Sequence, residues 1–198
     1  MLPRPEKTPP TMNAAEKARI RQHAADLIRY SFPLIRAEAG QAGKHLAAYY
    51  FALVDDFFAA ADNAITHEDM QVFDPDSTLL GAIWDGRCKL YEGSYRAVDP
   101  HAGAWPDNQS ALYKETWLLA EQAADDEAQY QTLRRDFETC LLEALAQCDA
   151  EGLFGDRREN GLLLFAFYID DYDGNGKKSL LRRSAEQLNP AEARDKLK

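Results

Sequence analysis

Cysteine is scarce in this chain: three among 198 residues, Cys88, Cys140 and Cys148, with no C-x-x-C spacing. That scarcity excludes a disulfide framework and a thiolate metal site. Cys140 and Cys148 stand eight apart on one helical face and read as small buried hydrophobes. Histidine is sparse too. His23, His45, His67 and His101 form no H-x-x-x-H or H-x-E pattern, so there is no zinc signature. No serine sits in a G-x-S-x-G turn, and no cysteine has the sequence context of a nucleophile. The longest apolar run, Gly161 to Ile169, falls far short of the roughly 18 residues of a membrane helix. The N-terminus carries Lys and Arg but no apolar stretch before a cleavage site, so the expectation is a cytoplasmic chain without membrane contact.

Positive charge is also in deficit. The chain has 23 Lys and Arg against 33 Asp and Glu, a formal net charge of −10. Residues 1–45 hold eight basic and four acidic groups, net +4; residues 46–176 hold eight against twenty-six, net −18; residues 177–198 hold seven against three, net +4. Basic ends thus flank an acidic body. Such a body repels nucleic acid and attracts basic partners at long range, or else it serves only as a solubilising surface. With 45% hydrophobic and 28% charged residues, the chain is long enough for one domain with a sizeable core.

Four prolines in residues 1–10 mark a flexible lead, taken to residue 12. Asn13 and Glu16 form a capping box, and Ile20, Ala24, Leu27, Ile28, Ser31 and Ile35 trace one helical face. Pro33 falls inside that pattern and is expected to kink or end the helix near Phe32. His45 to Val54 reads as a buried strand, and Phe57 to Asn63 as a loop or one helical turn. Thr66 is a helix cap before the acids Glu68 and Asp69. Leu79–Trp84 and Arg87–Tyr91 are candidate strands around the turn signal Asp85-Gly86. Asp99 to Gln109 is expected to be a loop, and Ser110 to cap a helix running to about Glu121.

Asp126 with Gln129 makes a second capping box. The series Tyr130, Leu133, Phe137, Cys140, Leu141, Ala144, Leu145, Cys148 is the clearest helical stripe in the chain. Glu138 lies off that stripe and is expected to face water. Gly152 stands at the left-handed position after the helix. Leu162 to Ile169 is apolar on both faces, the pattern of a central strand. Ser179 to Leu188 is a short helix stopped by Asn189-Pro190, and residues 191–198 form a basic tail.

Three constellations bear on chemistry. Asp171, Asp173, Asn175 and Gly176 match the opening of a calcium loop, but its twelfth position is Arg182, which cannot ligate the ion. Gly176-Lys177-Lys178-Ser179 mimics the end of a phosphate loop, yet Asp171 and Lys178 stand where glycine and a hydroxyl are required. The acidic pairs Asp55-Asp56 and Asp170-Asp171 end the two best strands. If those strands are neighbours, four carboxylates crowd one sheet edge, enough for a divalent metal; otherwise each pair only terminates its strand. Trp105, beside Pro106 in the loop, is a candidate anchor for a partner.

Several of these residues also carry a family likeness. Glu151-Gly152-Leu153-Phe154-Gly155, Arg158-Glu159-Asn160, the apolar strand ending Asp170-Asp171, Ser184-Ala185 and Leu188-Asn189-Pro190 resemble the C-terminal part of the bacterial domain-of-unknown-function family 4303. The strand ending Asp55-Asp56 resembles that family's first strand. The resemblance implies a bacterial cytoplasmic α+β protein and carries over no functional residue. Small acidic proteins of this kind often stand beside toxins as immunity proteins.

The resulting expectation is a single α+β domain over residues 13–190. Its small mixed sheet has Leu162–Ile169 and Leu46–Val54 central, packed on helices Asn13–Phe32 and Asp126–Ala150. The expected function is a non-enzymatic binding protein, specifically an immunity protein that neutralises a basic toxin domain, without cofactor. Trp105, Asp125 and Asp126 are its candidate contact residues. Two alternatives stand beside it: a metal-dependent hydrolase using Asp55, Asp56, Asp170 and Asp171, and a structural or regulatory interaction module.

Overall fold

The computed structural model describes residues 12–54, 59–71, 91–92, 112, 115, 118, 119, 121, 123, 126–168 and 180–194. Helix α1 (Ala14–Gln41) opens on the expected capping box: Asn13 accepts from the Ala15 and Glu16 amides, and Glu16 accepts from the Asn13 amide at 2.8 Å. It does not end near Phe32. The helix continues through Pro33 to Gln41 and buries Phe32, Ile35 and Ala39. Proline removes one backbone bond, and the burial of that last apolar stretch outweighs the loss.

Strand β1 (Leu46–Val54) is followed by β2 (Ala59–Thr66), the short helix α2 (His67–Gln71) and the two-residue strand β3 (Tyr91–Glu92). Part of the stretch expected to be loop or helical turn is therefore a strand. Alanine-rich sequence has little β preference of its own, and the antiparallel ladder with β1, Val54 opposite Ala59 through Tyr50 opposite Asn63, decides the conformation. Leu112, Glu115, Leu118, Leu119, Glu121 and Ala123 are helical, in keeping with the helix expected after Ser110. Helix α3 (Glu127–Ala150), α4 (Arg157–Asn160), β4 (Leu163–Tyr168), α5 (Leu180–Leu188) and α6 (Ala191–Arg194) complete the order.

The sheet runs β3-β2-β1-β4, antiparallel except for the parallel pair β1–β4. The architecture is α+β with a small mixed sheet, as expected, and β1 is central. Strand β4 is not: among the described residues it pairs with β1 alone and ends the sheet. It reads as apolar on both faces because both are covered. Leu164, Ala166 and Tyr168 share a core with α1 and α3, whereas Leu163, Phe165 and Phe167 pack with Tyr50, Ala185 and Leu181. Tyr50 and Phe165, opposite each other in register, stack with centroids 4.9 Å apart.

Helices α1 and α3 lie parallel. Lys17 pairs with Asp136 at 2.6 Å, Arg21 with Glu143 at 3.1 Å and Arg29 with Glu151 at 2.7 Å, partner numbers rising together. Arg19 is bound to Glu115 and Arg183 to Glu138. Much of the charge segregation along the chain is thus answered within the fold, basic ends against acidic body. Between these helices the Cys140 and Cys148 thiols are buried, and that burial pushes each up to about 11. No helix among the described residues is long and apolar enough to cross a membrane.

Glu138 corrects another expectation, for it is 4% exposed. Tyr168 Oη donates to it at 3.0 Å, Arg134 Nε donates at 3.2 Å, and Arg183 reaches its other oxygen. Helix α3 has α1 on one side and β4 with α5 on another, so its buried arc is wider than its apolar stripe. A carboxylate can occupy that arc because three donors meet it. Burial, with the Glu138 charge beside it, pushes the Tyr168 hydroxyl well above its ordinary value.

Candidate functional site

The residues of the resembling segment are the first candidates, and three of them, Asn160, Ser184 and Asn189, are engaged with the backbone around β4. Gly152, at φ +78°, closes α3: its amide reaches Asp149 O at 2.9 Å and the Leu153 amide reaches Cys148 O at 3.1 Å. The chain then inserts Phe154 against Phe32 (4.7 Å) and Tyr49 (5.7 Å). Asn160 bridges that turn to the strand, donating to Phe154 O and accepting from the Leu162 amide, both at 2.9 Å.

The open edge of β4 is sealed by side chains from α5 and from Asn189, which follows it. Asn189 acts as one residue of an absent neighbouring strand: its Oδ1 accepts from the Leu164 amide at 2.9 Å, and its Nδ2 donates to Leu164 O at 2.6 Å. Two residues on, Ser184 Oγ accepts from the Ala166 amide at 2.9 Å. Its single proton has Leu181 O at 2.8 Å and Ala166 O at 3.0 Å within reach. Arg157 secures the end of α5 through Leu188 O and holds Asp149 at 3.1 Å. Burial shifts both members of that pair toward neutrality, Arg157 down and Asp149 up. These residues explain the motif as architecture, because a buried strand edge without partners is costly.

The acidic candidates stand differently. Asp126 is the N-cap of α3, accepting from the Ala128 and Gln129 amides at 2.9 and 3.0 Å. Its own amide goes to Ala123 O, so the reciprocal half of the expected box is absent. Trp105, Asp125, Asp55, Asp56, Asp170 and Asp171 lie outside the described residues, as do the Asp171–Gly176 loop and the candidate strand Leu79–Trp84. Strands β1 and β4 are neighbours, and Leu53 stands opposite Tyr168 where both approach their C-terminal ends. Among the described residues no group of three metal-ligating side chains gathers.

At the other end of β1 and β4 an open cleft of about 660 Å³ is built from segments far apart in sequence. Helix α1 supplies Phe32, Arg36 and Gly40; the following turn supplies Gly43, Lys44, His45 and Leu46. Helix α2 gives His67 and Glu68, and the α3–β4 connection gives Phe154, Gly155, Glu159, Asn160 and Leu162. The turn after α1 exists because Gly43 takes φ +70°, letting the Lys44 amide reach Ala39 O at 2.9 Å. Thr66 caps α2 as expected, accepting from the Asp69 amide at 3.1 Å.

Electrostatically the cleft wall is a clasp. Glu68 accepts from the His45 amide and meets His45 Nδ1, both at 2.8 Å. That contact with the imidazole, then the amide bond, holds the Glu68 carboxyl down at about 2. Lys44 binds Asp69. Arg36 lies over the Phe32 ring, its guanidinium carbon 5.7 Å from the centroid. Glu68 and Asp69 stand in the helix-start signal after Thr66, but no sequence motif joins them to Arg36, Lys44 and His45. His45, Glu68 and Arg36 come together only because β1 and β2 form a hairpin beside the end of α1.

No curated protein and no solved structure matches the chain. The C-terminal part, residues 107–190, matches the model of a domain of unknown function, DUF4303; the match begins earlier than the residues Glu151 to Pro190 that carry the likeness and does not include the first strand.

Proposed function

We propose that this chain is a non-enzymatic binding protein, and specifically an immunity protein that neutralises a cognate bacterial toxin. The observation that carries the reading is the outer face of α1. Tyr30 and Leu34, one turn apart, remain 47% and 45% exposed, with the exposed Pro33 and Ala37 on the same face. A stripe led by an aromatic suits a protein partner, since such side chains dominate binding energy when a partner desolvates them. The net charge of −10 supports a basic partner, with encounter accelerated by long-range attraction. The engagement of Asn160, Ser184 and Asn189 with backbone supports the same reading, because it accounts for the polar motif residues without chemistry.

The test is binding of the purified protein to the product of the neighbouring gene, read by calorimetry and by association rate against salt. Tyr30→Ala with Leu34→Ala should weaken binding at least about tenfold, at the scale of an interface hot spot. The melting temperature should hold, because both side chains are exposed. Full affinity in that double variant would remove α1 from the interface, and absence of any complex would end the immunity reading.

A second reading has a specific observation in its favour. Because β1 and β4 are adjacent and parallel, the chain leaves both strands toward one edge of the sheet just before Asp55-Asp56 and Asp170-Asp171. This supports a metal-dependent hydrolase that uses those four carboxylates. Magnesium or calcium should then stabilise the protein by about 2.7 kcal/mol at a hundredfold excess over its dissociation constant. Asp171→Asn should remove the shift.

A further inference from the structure

The cleft at the start of β1 and β4 contains two ionic groups of opposite sign that no described residue pairs. Arg36 touches the Phe32 ring and makes no ion pair or hydrogen bond through its guanidinium among the described residues. Glu159 uses its amide on Asp156, and its carboxylate has no partner among them either. The other charges on the wall are engaged: Lys44 with Asp69, and Glu68 with His45. The same cleft is lined by the apolar side chains of Phe32, Phe154, Leu46 and Leu162. The last turn of α1 contributes Gly40, where an added Cβ would meet nothing within 4 Å.

We propose that this cleft binds a small zwitterion with an apolar body, the class of free amino acids with large side chains. Its carboxylate meets the Arg36 guanidinium in the fork geometry suited to that pair, and its ammonium meets Glu159. Its body lies on the Phe32–Phe154 floor. The volume of about 660 Å³ falls within the range of small-ligand sites, roughly 300–1,000 Å³. Arg36 and Glu159 are both exposed, so a ligand with one charge would engage only one of them and a neutral one neither. The ligand's own charges cancel, so the overall acidity of the protein does not oppose its entry.

The experiment is calorimetric titration of the whole protein with L-phenylalanine as the probe, against 3-phenylpropionate and phenethylamine, which each lack one charge. L-Phenylalanine is expected to bind, and each control to bind at least about tenfold more weakly, the scale of one charged hydrogen bond. Arg36→Gln should bring L-phenylalanine down to the level of phenethylamine, and Glu159→Gln down to that of 3-phenylpropionate. Gly40→Leu, which fills the opening of the cleft, should abolish binding. It should also keep or raise the melting temperature, because leucine is the better helix former and meets open space. Equal binding of all three compounds, binding that survives Gly40→Leu, or no saturable binding of L-phenylalanine by the native protein would each overturn the proposal.

Discussion

Strands β1 and β4 are both buried, both apolar and aligned in parallel, yet they obtain their backbone partners in different ways. β1 has a strand on either side. β4 has β1 on one side and, on the other, two amides met by Asn189 and Ser184. An edge that would otherwise invite another strand is closed by a helix that presents side-chain amide and hydroxyl groups in place of a backbone. Burial on both faces is therefore not a sign of central position, and a polar residue in a distinctive segment is not a sign of catalysis.

The difference can be broken at Asn189, where the largest effect is expected. Asn189→Leu leaves the Leu164 N–H and C=O buried without their partner, at about 1–3 kcal/mol for each unsatisfied group. A loss of about 3 kcal/mol in urea unfolding is anticipated. Ser184→Ala leaves chiefly the Ala166 amide and should cost about half as much. Were both variants as stable as the native protein, water would have to replace the seal and β4 would be an ordinary open edge. A substitution in β1 cannot produce this behaviour, because its amides are held by other strands.

Glu138 sharpens the same contrast with a somewhat smaller effect. It joins α3 to β4 and α5 through Tyr168 and Arg183, so it reports on the side of β4 that β1 does not touch. Removing one partner of a buried pair costs about 3–5 kcal/mol in general. Arg183 is 39% exposed, so water screens part of that charge and about 2 kcal/mol is the expectation for Glu138→Ala. The measurement is again the urea midpoint, with Glu143→Ala, a half-exposed position on the same helix, as the comparison. That control should move stability by no more than about 0.5 kcal/mol. Equal losses at the two positions would show that the Glu138 contacts contribute nothing beyond surface pairing.

What was legible in the sequence follows from this contrast. The start of α1 at Asn13, the stripe of α3, the Gly152 stop and the apolar β1 and β4 depend on neighbours a few residues away, and local pattern displays them. The path of α1 through Pro33, the strand at Ala59–Thr66, the burial of Glu138 and the edge position of β4 depend on partners tens of residues distant. Propensity misleads at such places, because packing overrides it. The cleft was invisible for the same reason. Arg36, His45, Glu68 and Glu159 share no motif and meet only after the hairpin and both glycine-closed helix ends have formed.

The smallest expected effect concerns the clasp at that cleft, where the pairing is half-exposed, unlike the buried seals of β4. Glu68 has its folded carboxyl held at about 2, against an ordinary 4.5, by the contact with His45. A depressed carboxyl contributes stability that is fully present above the ordinary value and is lost as pH falls toward the folded one. The window is therefore pH 4.5 down to about 2. Glu68→Gln should lower the urea midpoint slightly at pH 6, and the gap between variant and native protein should close as pH drops through that window. The Glu68 side chain is 37% exposed, so solvent keeps the difference small. The Asn189→Leu deficit, in contrast, has no titrating group and should hold across the same range. A Glu68→Gln gap that stays constant to pH 2 would mean that the clasp acts through shape and amide bonding instead of charge. The cleft and the sealed edge of β4 would then be held by the same kind of force.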